Sequence, residues 1–392
     1  MYKKLEKQKI KICFVSLNSY PLLKDNVGEN YRYVGGAEIQ QLQIAKELKK
    51  RGYEISFITY GEKNNEVQSR NANGIDILPA YNRNQIENIS FFRKIFHIWR
   101  KMKEIDADIY YHRAGSTGII GFFCRLNKKK VIIHLASDAD VTGEMIINKN
   151  TVIALLNKIG NWLDIRLSDI IISQSHFQKS KLKERFNLNS TIIKNSLDIS
   201  LQSSKKSFGE YLLWVGTIRS VKQPELFLKI AEYLPENNFL MIGGEGESLE
   251  LFKKIKNAAE KIRNVEFKGF VPPQKIYSYY QKATMLINTS KTEGFPNIFL
   301  EAWSCSIPVV SLNVDPDGII SKNKLGFHSK TFNQMLDNIK TLLKEKKLVM
   351  QMGENGRKYV EENHDIKKIV DQYEELIENL LKNRRGKFFT NI

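Results

Sequence analysis

The chain has 392 residues, 42% hydrophobic and 27% charged, with Gly and Pro held to 23 and 9. That length exceeds one ordinary core and suits two domains, and the composition excludes a disordered or collagen-like chain. The balance of 61 Lys plus Arg against 43 Asp plus Glu, a net +18, attracts an anionic partner without choosing among nucleic acid, anionic lipid and a phosphorylated substrate.

In chain order, the basic start at 3–11 precedes an apolar stretch of only Ile12 to Leu17. An export signal needs about 7 to 15 apolar residues, so the stretch reads as a first strand in a cytoplasmic protein. Short β-branched runs then alternate with helical patterns, which predicts parallel sheets wrapped by helices. Strands are expected over 11–17, 54–60, 75–78, 108–112, 131–135, 169–173 and 191–195. A helix from about Ala37 to Lys50 carries Ile39, Leu42, Ala45 and Leu48 on one stripe and stops at Gly52. Gly35 and Gly36 begin it, and their backbone could face a ligand.

The segment 91–103 puts Phe92, Ile95, Phe96, Trp99 and Met102 on one helical face and five cations on the rest. The expected role of that stripe is to pack on the first sheet, with contact to an anionic membrane as its rival. Two strand ends carry histidine: His112 with Arg113, and His134. The triplets 106–108 and 138–140 each read Asp-Ala-Asp, and neither is assigned a metal. The apolar run 117–124 is cut off by Arg125, far short of the ~20 residues of a membrane span. Cys13, Cys124 and Cys305 lack the spacing of a zinc or redox pair.

A polar stretch from Leu197 to Gly209 marks the domain boundary. Beyond it strands are expected over 211–215, 239–242, 265–268, 284–288 and 308–312, and only helices from Phe332 onward. Open α/β sheets bind ligands at their carboxyl edges, so function belongs to loops that follow strands. The most informative of these runs from Thr292 to Trp303 between two strands, with Pro296 suiting a first helical turn. It would leave the amides of Asn297, Ile298 and Phe299 at a helix start, an anion site. Gly294 and Phe295 lie in the loop, and Glu293 and Glu301 stand eight residues apart, suited to sugar hydroxyls. Arg219 and Lys222 follow another strand and could neutralise a diphosphate without metal, while the turn at Gly243 would leave room for a base or ribose.

These residues resemble the retaining glycosyltransferases of family 4, which have two Rossmann-like domains in the GT-B architecture. The resemblance rests on Glu293 and Glu301 around Glu-Gly-Phe-Pro-Asn, Val215-Gly216 with Lys222, Gly243, the run 267–271, Pro308-Val309-Val310, and Gly35-Gly36-Ala37-Glu38. It implies Arg219 and Lys222 on the diphosphate, the amides of Asn297 and Ile298 on phosphate, Glu301 on the ribose and Glu293 on the donor hexose. It also implies the Val271 backbone on the base, His134 on the transferred sugar, and Gly35 and Gly36 near the diphosphate or acceptor. The chain departs from the pattern at Thr217, where the family has Arg, at Ser306, and at Asp315-Pro316-Asp317-Gly318.

The resulting expectation is an acceptor-side domain at 1–200, a donor domain at 209–368, and a C-terminal helix at 369–392 crossing back to the first. The function expected is transfer of a hexose-type sugar from a nucleoside-diphosphate sugar to a saccharide or lipid-linked hydroxyl, in surface polysaccharide or glycolipid synthesis. Neither metal nor cofactor is expected. Peripheral contact with anionic lipid at the inner membrane face, through 91–103 and the tail at 382–389, accompanies it. The rivals are a nucleotide-sugar epimerase, a binding protein without catalysis, and a charge-driven nucleic-acid binder, for which no motif is present.

Overall fold

The computed structural model describes residues 10–23, 34–61, 70–82, 91–113, 118–142, 151–201 and 209–382. The tail beyond Lys382 and residues 202–208 of the polar stretch lie outside the described residues. Two compact units emerge: one runs to Ser196 and resumes at Ile366, the other spans Leu197–Asp365.

The first unit begins with β1 (Lys11–Val15), α1 (Gly36–Lys50), β2 (Glu54–Gly61), β3 (Arg70–Ala72), β4 (Ile75–Asn82), α2 (Phe91–Ile105) and β5 (Ile109–Arg113). It continues with α3 (Ile119–Leu126), β6 (Lys130–His134), α4 (Ala139–Thr142), α5 (Thr151–Leu167), β7 (Ile170–Ser173), α6 (His176–Phe186) and β8 (Thr191–Ile192). In β1 and β5 nearly every residue is buried, as in parallel strands covered on both faces. At the start of α1 the Glu38 carboxylate accepts the Gly35 amide at 2.9 Å. The helix stops where the amides of Gly52 and Tyr53 return to the carbonyls of Lys49 and Leu48.

The strand order is β3-β4-β2-β1-β5-β6-β7-β8, all parallel except β3, which pairs antiparallel with β4. That hairpin is absent from the expected strands. Its signal is Asn73-Gly74, whose φ values of 51° and 73° form the left-handed turn a two-residue hairpin needs. The chain winds one way from β1 through β2 and β4, then starts again at β5 on the other side, so the switch point lies between β1 and β5.

The helix α2 corrects the expected packing of its aromatic stripe. Its covered face is Ile98, Lys101 and Met102, whereas Phe92 and Phe96 are 77% and 62% exposed. Only Met102 of the expected stripe is fully buried.

The second unit holds β9 (Tyr211–Val215), α7 (Pro224–Tyr233), β10 (Phe239–Ile242), α8 (Leu249–Ala259), β11 (Val265–Gly269), α9 (Pro273–Lys282) and β12 (Ala283–Asn288). After these come α10 (Asn297–Ser304), β13 (Val309–Ser311), α11 (Ile319–Asn323), β14 (Gly326–His328), α12 (Phe332–Lys344) and α13 (Lys346–Asn363). The order β11-β10-β9-β12-β13-β14 is parallel throughout and switches between β9 and β12. The edge strand β14 was not expected; three residues are too few for a periodicity to show. One core packs Trp214, Phe227, Phe239 and Ile339 on one side of the sheet, and another packs Tyr280, Phe299 and Trp303 on the other.

The last helix, α14 (Ile366–Lys382), belongs to the first unit and starts three residues before the position expected for it. Its Ile366, Ile369, Val370, Tyr373, Ile377 and Leu380 enter the core that also holds Phe14 and Phe57. The Arg51 guanidinium ties α1 to it through Glu374 at 2.7 Å and the Lys367 carbonyl at 2.8 Å.

Candidate functional site

In the second unit, the loops after β9 and β12 flank the switch point and are stitched together. Thr289 donates its hydroxyl to the Lys222 carbonyl at 2.7 Å and accepts the Trp214 indole N–H at 3.0 Å. The Lys291 amide donates to the Val221 carbonyl at 2.8 Å. Their side chains meet as well: Lys222 Nζ lies 2.6 Å from Glu293 Oε1, and both side chains are less than a fifth exposed. The same carboxylate oxygen accepts Ser290 Oγ at 2.6 Å. An ammonium has three donors and Glu293 takes one, so Lys222 keeps capacity for an anionic ligand.

Arg219 is placed differently. It is exposed at the head of a 3-10 turn, Ser220–Lys222, and its charge acts on Glu247. The Glu247 carboxyl is held below its usual range chiefly by the Ser220 hydroxyl and amide, with Arg219 adding to the effect.

Pro296 stands as the residue before α10 rather than in its first turn. Of the three amides expected at that helix start, Phe299's donates to the Pro296 carbonyl at 3.1 Å, and Asn297 and Ile298 are the first two residues of the helix. Phe295 turns inward and packs against His364, ring centroids 5.2 Å apart, and Gly294 is buried beside it. One turn into α10, Glu301 accepts the Tyr280 hydroxyl at 2.8 Å. Burial pushes its carboxyl above the ordinary range, against the lowering effect of that hydrogen bond.

Gly243 corrects the expectation of open room. A Cβ there would stand 2.2 Å from the Gly216 carbonyl oxygen, so this glycine lets two backbones close on each other. The loop after β9 is thereby latched to the loop after β10, with the Ile218 amide on the Gly244 carbonyl at 2.9 Å. Gly244 lies beneath Phe270, which is 42% exposed next to the half-buried Val271.

Sequence reasoning missed Tyr280, Thr289, Ser290 and Asn288. The signal was Asn288-Thr289-Ser290, three polar residues where an apolar strand ends, all of them buried in the structure.

Gly35, Gly36 and His134 belong to the first unit. His134 is 1% exposed. Arg113 Nη2 lies 3.1 Å from its Nε2, and since a guanidinium only donates, Nε2 accepts and Nδ1 carries the proton. Nδ1 lies 2.9 Å from the hydroxyls of both Tyr111 and Tyr373. Burial first and the Arg113 charge second hold the ring well below its ordinary pKa, so it is neutral. In the second aspartate triplet, Asp138 accepts Gln178 at 3.0 Å and Asp140 caps the amides of Ala136 and Ser137. Among the described residues no cluster of three or more His, Cys, Asp or Glu is arranged to hold a metal.

Residues 198–359 match the family model described as Glycosyl transferases group 1, and residues 34–201 that described as Glycosyltransferase Family 4. An uncharacterized glycosyltransferase of Haemophilus influenzae is 24% identical over 364 residues, covering 89% of this chain and 98% of its own. The sucrose-phosphate synthase of Thermosynechococcus elongatus superposes with a TM-score of 0.77 at 15% identity, over 95% of this chain and all of the other. Anabaena HepE in complex with UDP gives 0.67 at 14%, over 94% and 100%. The solved structures share the fold, which is GT-B.

Proposed function

The chain belongs to the group 1 glycosyltransferases, and from that premise we propose that it transfers a hexose-type sugar from a nucleoside-diphosphate sugar to a hydroxyl with retained anomeric configuration and without metal. The acceptor is a saccharide or lipid-linked group in surface polysaccharide or glycolipid synthesis. The observation that carries this reading is the Lys222–Glu293 pair at the β9/β12 switch point. Cleavage of the anomeric C–O bond puts positive charge on the sugar and negative charge on the departing diphosphate. Lys222, the start of α10 at Asn297 and Ile298, and more distantly Arg219 stabilise the leaving group. Glu293 holds the sugar hydroxyls and Glu301 the ribose, while the leaving phosphate oxygen takes the acceptor's proton on the same face. Gly243 acts by locking the loop after β9, Phe295 by anchoring the Glu293 loop, and the Val271 backbone by pairing with the base. Gly35 and Gly36 serve the ligand from the first unit, and His134 is a positioning residue acting through Arg113. The UDP bound to Anabaena HepE supports a nucleotide donor.

Calorimetric titration with UDP, GDP and ADP in EDTA tests the donor site, with saturable binding of one nucleotide as the expected result. A folded protein that binds none of them sinks the reading. Product analysis then separates a new glycoside from an isomerised nucleotide sugar, the outcome an epimerase would give.

Contact with anionic lipid is supported by the outer faces of α2, α3 and α5. Phe92, Phe96, Phe122, Leu126, Ile159 and Trp162 are all exposed there, with Arg93, Arg100, Lys103 and Arg125 exposed beside them. Trp99 and Phe122 join α2 to α3 at 6.2 Å, and Asp164 of α5 accepts the amides of Gly118 and Gly121 at 2.9 Å. Co-sedimentation with vesicles containing phosphatidylserine is expected to exceed that with neutral vesicles, and F92E/F96E to lower it at least tenfold. Equal binding to both vesicle types overturns it.

A further inference from the structure

Arg113 ends β5 beside the β1/β5 switch point of the first sheet. It is 7% exposed. Its Nη2 serves two neutral acceptors, His134 Nε2 and Asn195 Oδ1, each at 3.1 Å. Its Nε has no hydrogen-bond partner among the described residues, and neither does Nε2 of the adjacent buried His112. The charge of Arg113 is felt by Asp140, but that carboxylate is committed to the amides of Ala136 and Ser137. A guanidinium held out of water beside neutral partners is costly. If Arg113 served only to hold His134 and Asn195, a neutral donor would make the same two bonds at less cost. A permanent charge with a planar fork of donors is the form that recognises carboxylate or phosphate. Ligands of open α/β sheets bind at the switch point, beyond the carboxyl ends of the strands.

We infer that the carboxyl edge of the first sheet holds an anion site built on Arg113, and that its ligand is a phosphate or carboxylate group carried by the acceptor. The anion site stands on the first unit alone; its assignment to the acceptor rests on the transferase reading.

Thermal-shift and calorimetric titrations with inorganic phosphate test it, beside parallel titrations with UDP, GDP and ADP. Phosphate is expected to stabilise the wild-type protein saturably, and R113Q to weaken that binding at least tenfold while nucleotide binding stays within twofold. N195D places a carboxylate on the guanidinium. It is expected to raise the melting temperature and to abolish phosphate binding, which keeps the test decisive if R113Q fails to fold. K222A separates the two sources of anion: it is expected to weaken nucleotide binding about tenfold and to leave phosphate binding unchanged. Phosphate binding unchanged in N195D, or lost in K222A alone, overturns the inference, the second outcome placing the anion in the donor site. Failure of every nucleotide to bind while phosphate still binds through Arg113 overturns the donor reading and leaves the anion site standing.

Discussion

Lys222→Ala is expected to lower kcat by about 10³-fold and to weaken nucleotide binding by only about tenfold. The asymmetry follows from where charge develops. The donor's diphosphate already carries negative charge in the ground state, and one further charge gathers on it as the anomeric bond breaks. A cation beside it therefore stabilises the transition state more than the bound substrate. Glu293 would then lose the ammonium 2.6 Å away and, among the described residues, retain the neutral partners Ser290 and the more distant Asn288. Arg219→Ala is expected to cost about tenfold in kcat, because that side chain is exposed and screened. Steady-state kinetics of both variants provide the check. A Lys222→Ala loss no greater than that of Arg219→Ala would remove Lys222 from the leaving-group site.

Glu301→Gln is expected to cut kcat/KM by about 10²-fold or more, and at the same time to make the protein more stable at neutral pH. Charge-assisted hydrogen bonds to two ribose hydroxyls, at about 1.5–3 kcal/mol each, support a loss of that size. The gain in stability has the opposite origin. Burial raises the Glu301 carboxyl above its ordinary 4.5 in the folded protein. Between those two values the folded state binds more protons than the unfolded state, so stability falls as pH rises through the window. Above that window the folded chain bears the cost of a buried carboxylate, which accepts the Tyr280 hydroxyl at 2.8 Å. Glutamine keeps an oxygen for Tyr280 and removes the charge. Its melting temperature should exceed the wild type's at pH 7, by about 2–4 °C for each kcal/mol recovered, and the difference should shrink toward pH 4. A variant that melts lower than wild type at pH 7 would falsify this account of Glu301.

Much of the fold could be read in advance because parallel strands covered on both faces demand unbroken apolar runs. Ile12 to Val15 and Tyr211 to Val215 are such runs. The edge strands Arg70–Ala72 and Gly326–His328 are too short to show one. In α2 the letters identify apolar residues around much of the circumference, and only the neighbouring elements decide that Ile98 is covered while Phe96 is not. At the site, spacing brought Glu293, Glu301 and the α10 start into view because they share one loop and helix. Tyr280, which bonds Glu301, comes from another helix and stands 21 positions away. Gly243 was legible as a glycine that matters, but whether it opened space or closed it depended on the Gly216 carbonyl arriving from a different strand.

The return of α14 to the first unit reverses the usual order in which a ribosome delivers finished domains. Among the described residues the second unit falls within one stretch, Leu197–Asp365, and can fold as soon as that stretch emerges. The unit that began synthesis first must wait for Ile366 through Leu380, six buried side chains worth roughly 1.5–3 kcal/mol each. Their sum rivals the entire ~5–15 kcal/mol stability of a domain. Until the last turn of that helix clears the exit tunnel, the face of the first sheet that α14 will cover stands open to water. The nascent chain is therefore most exposed to misassembly and chaperone capture late in translation, after the second unit is already complete.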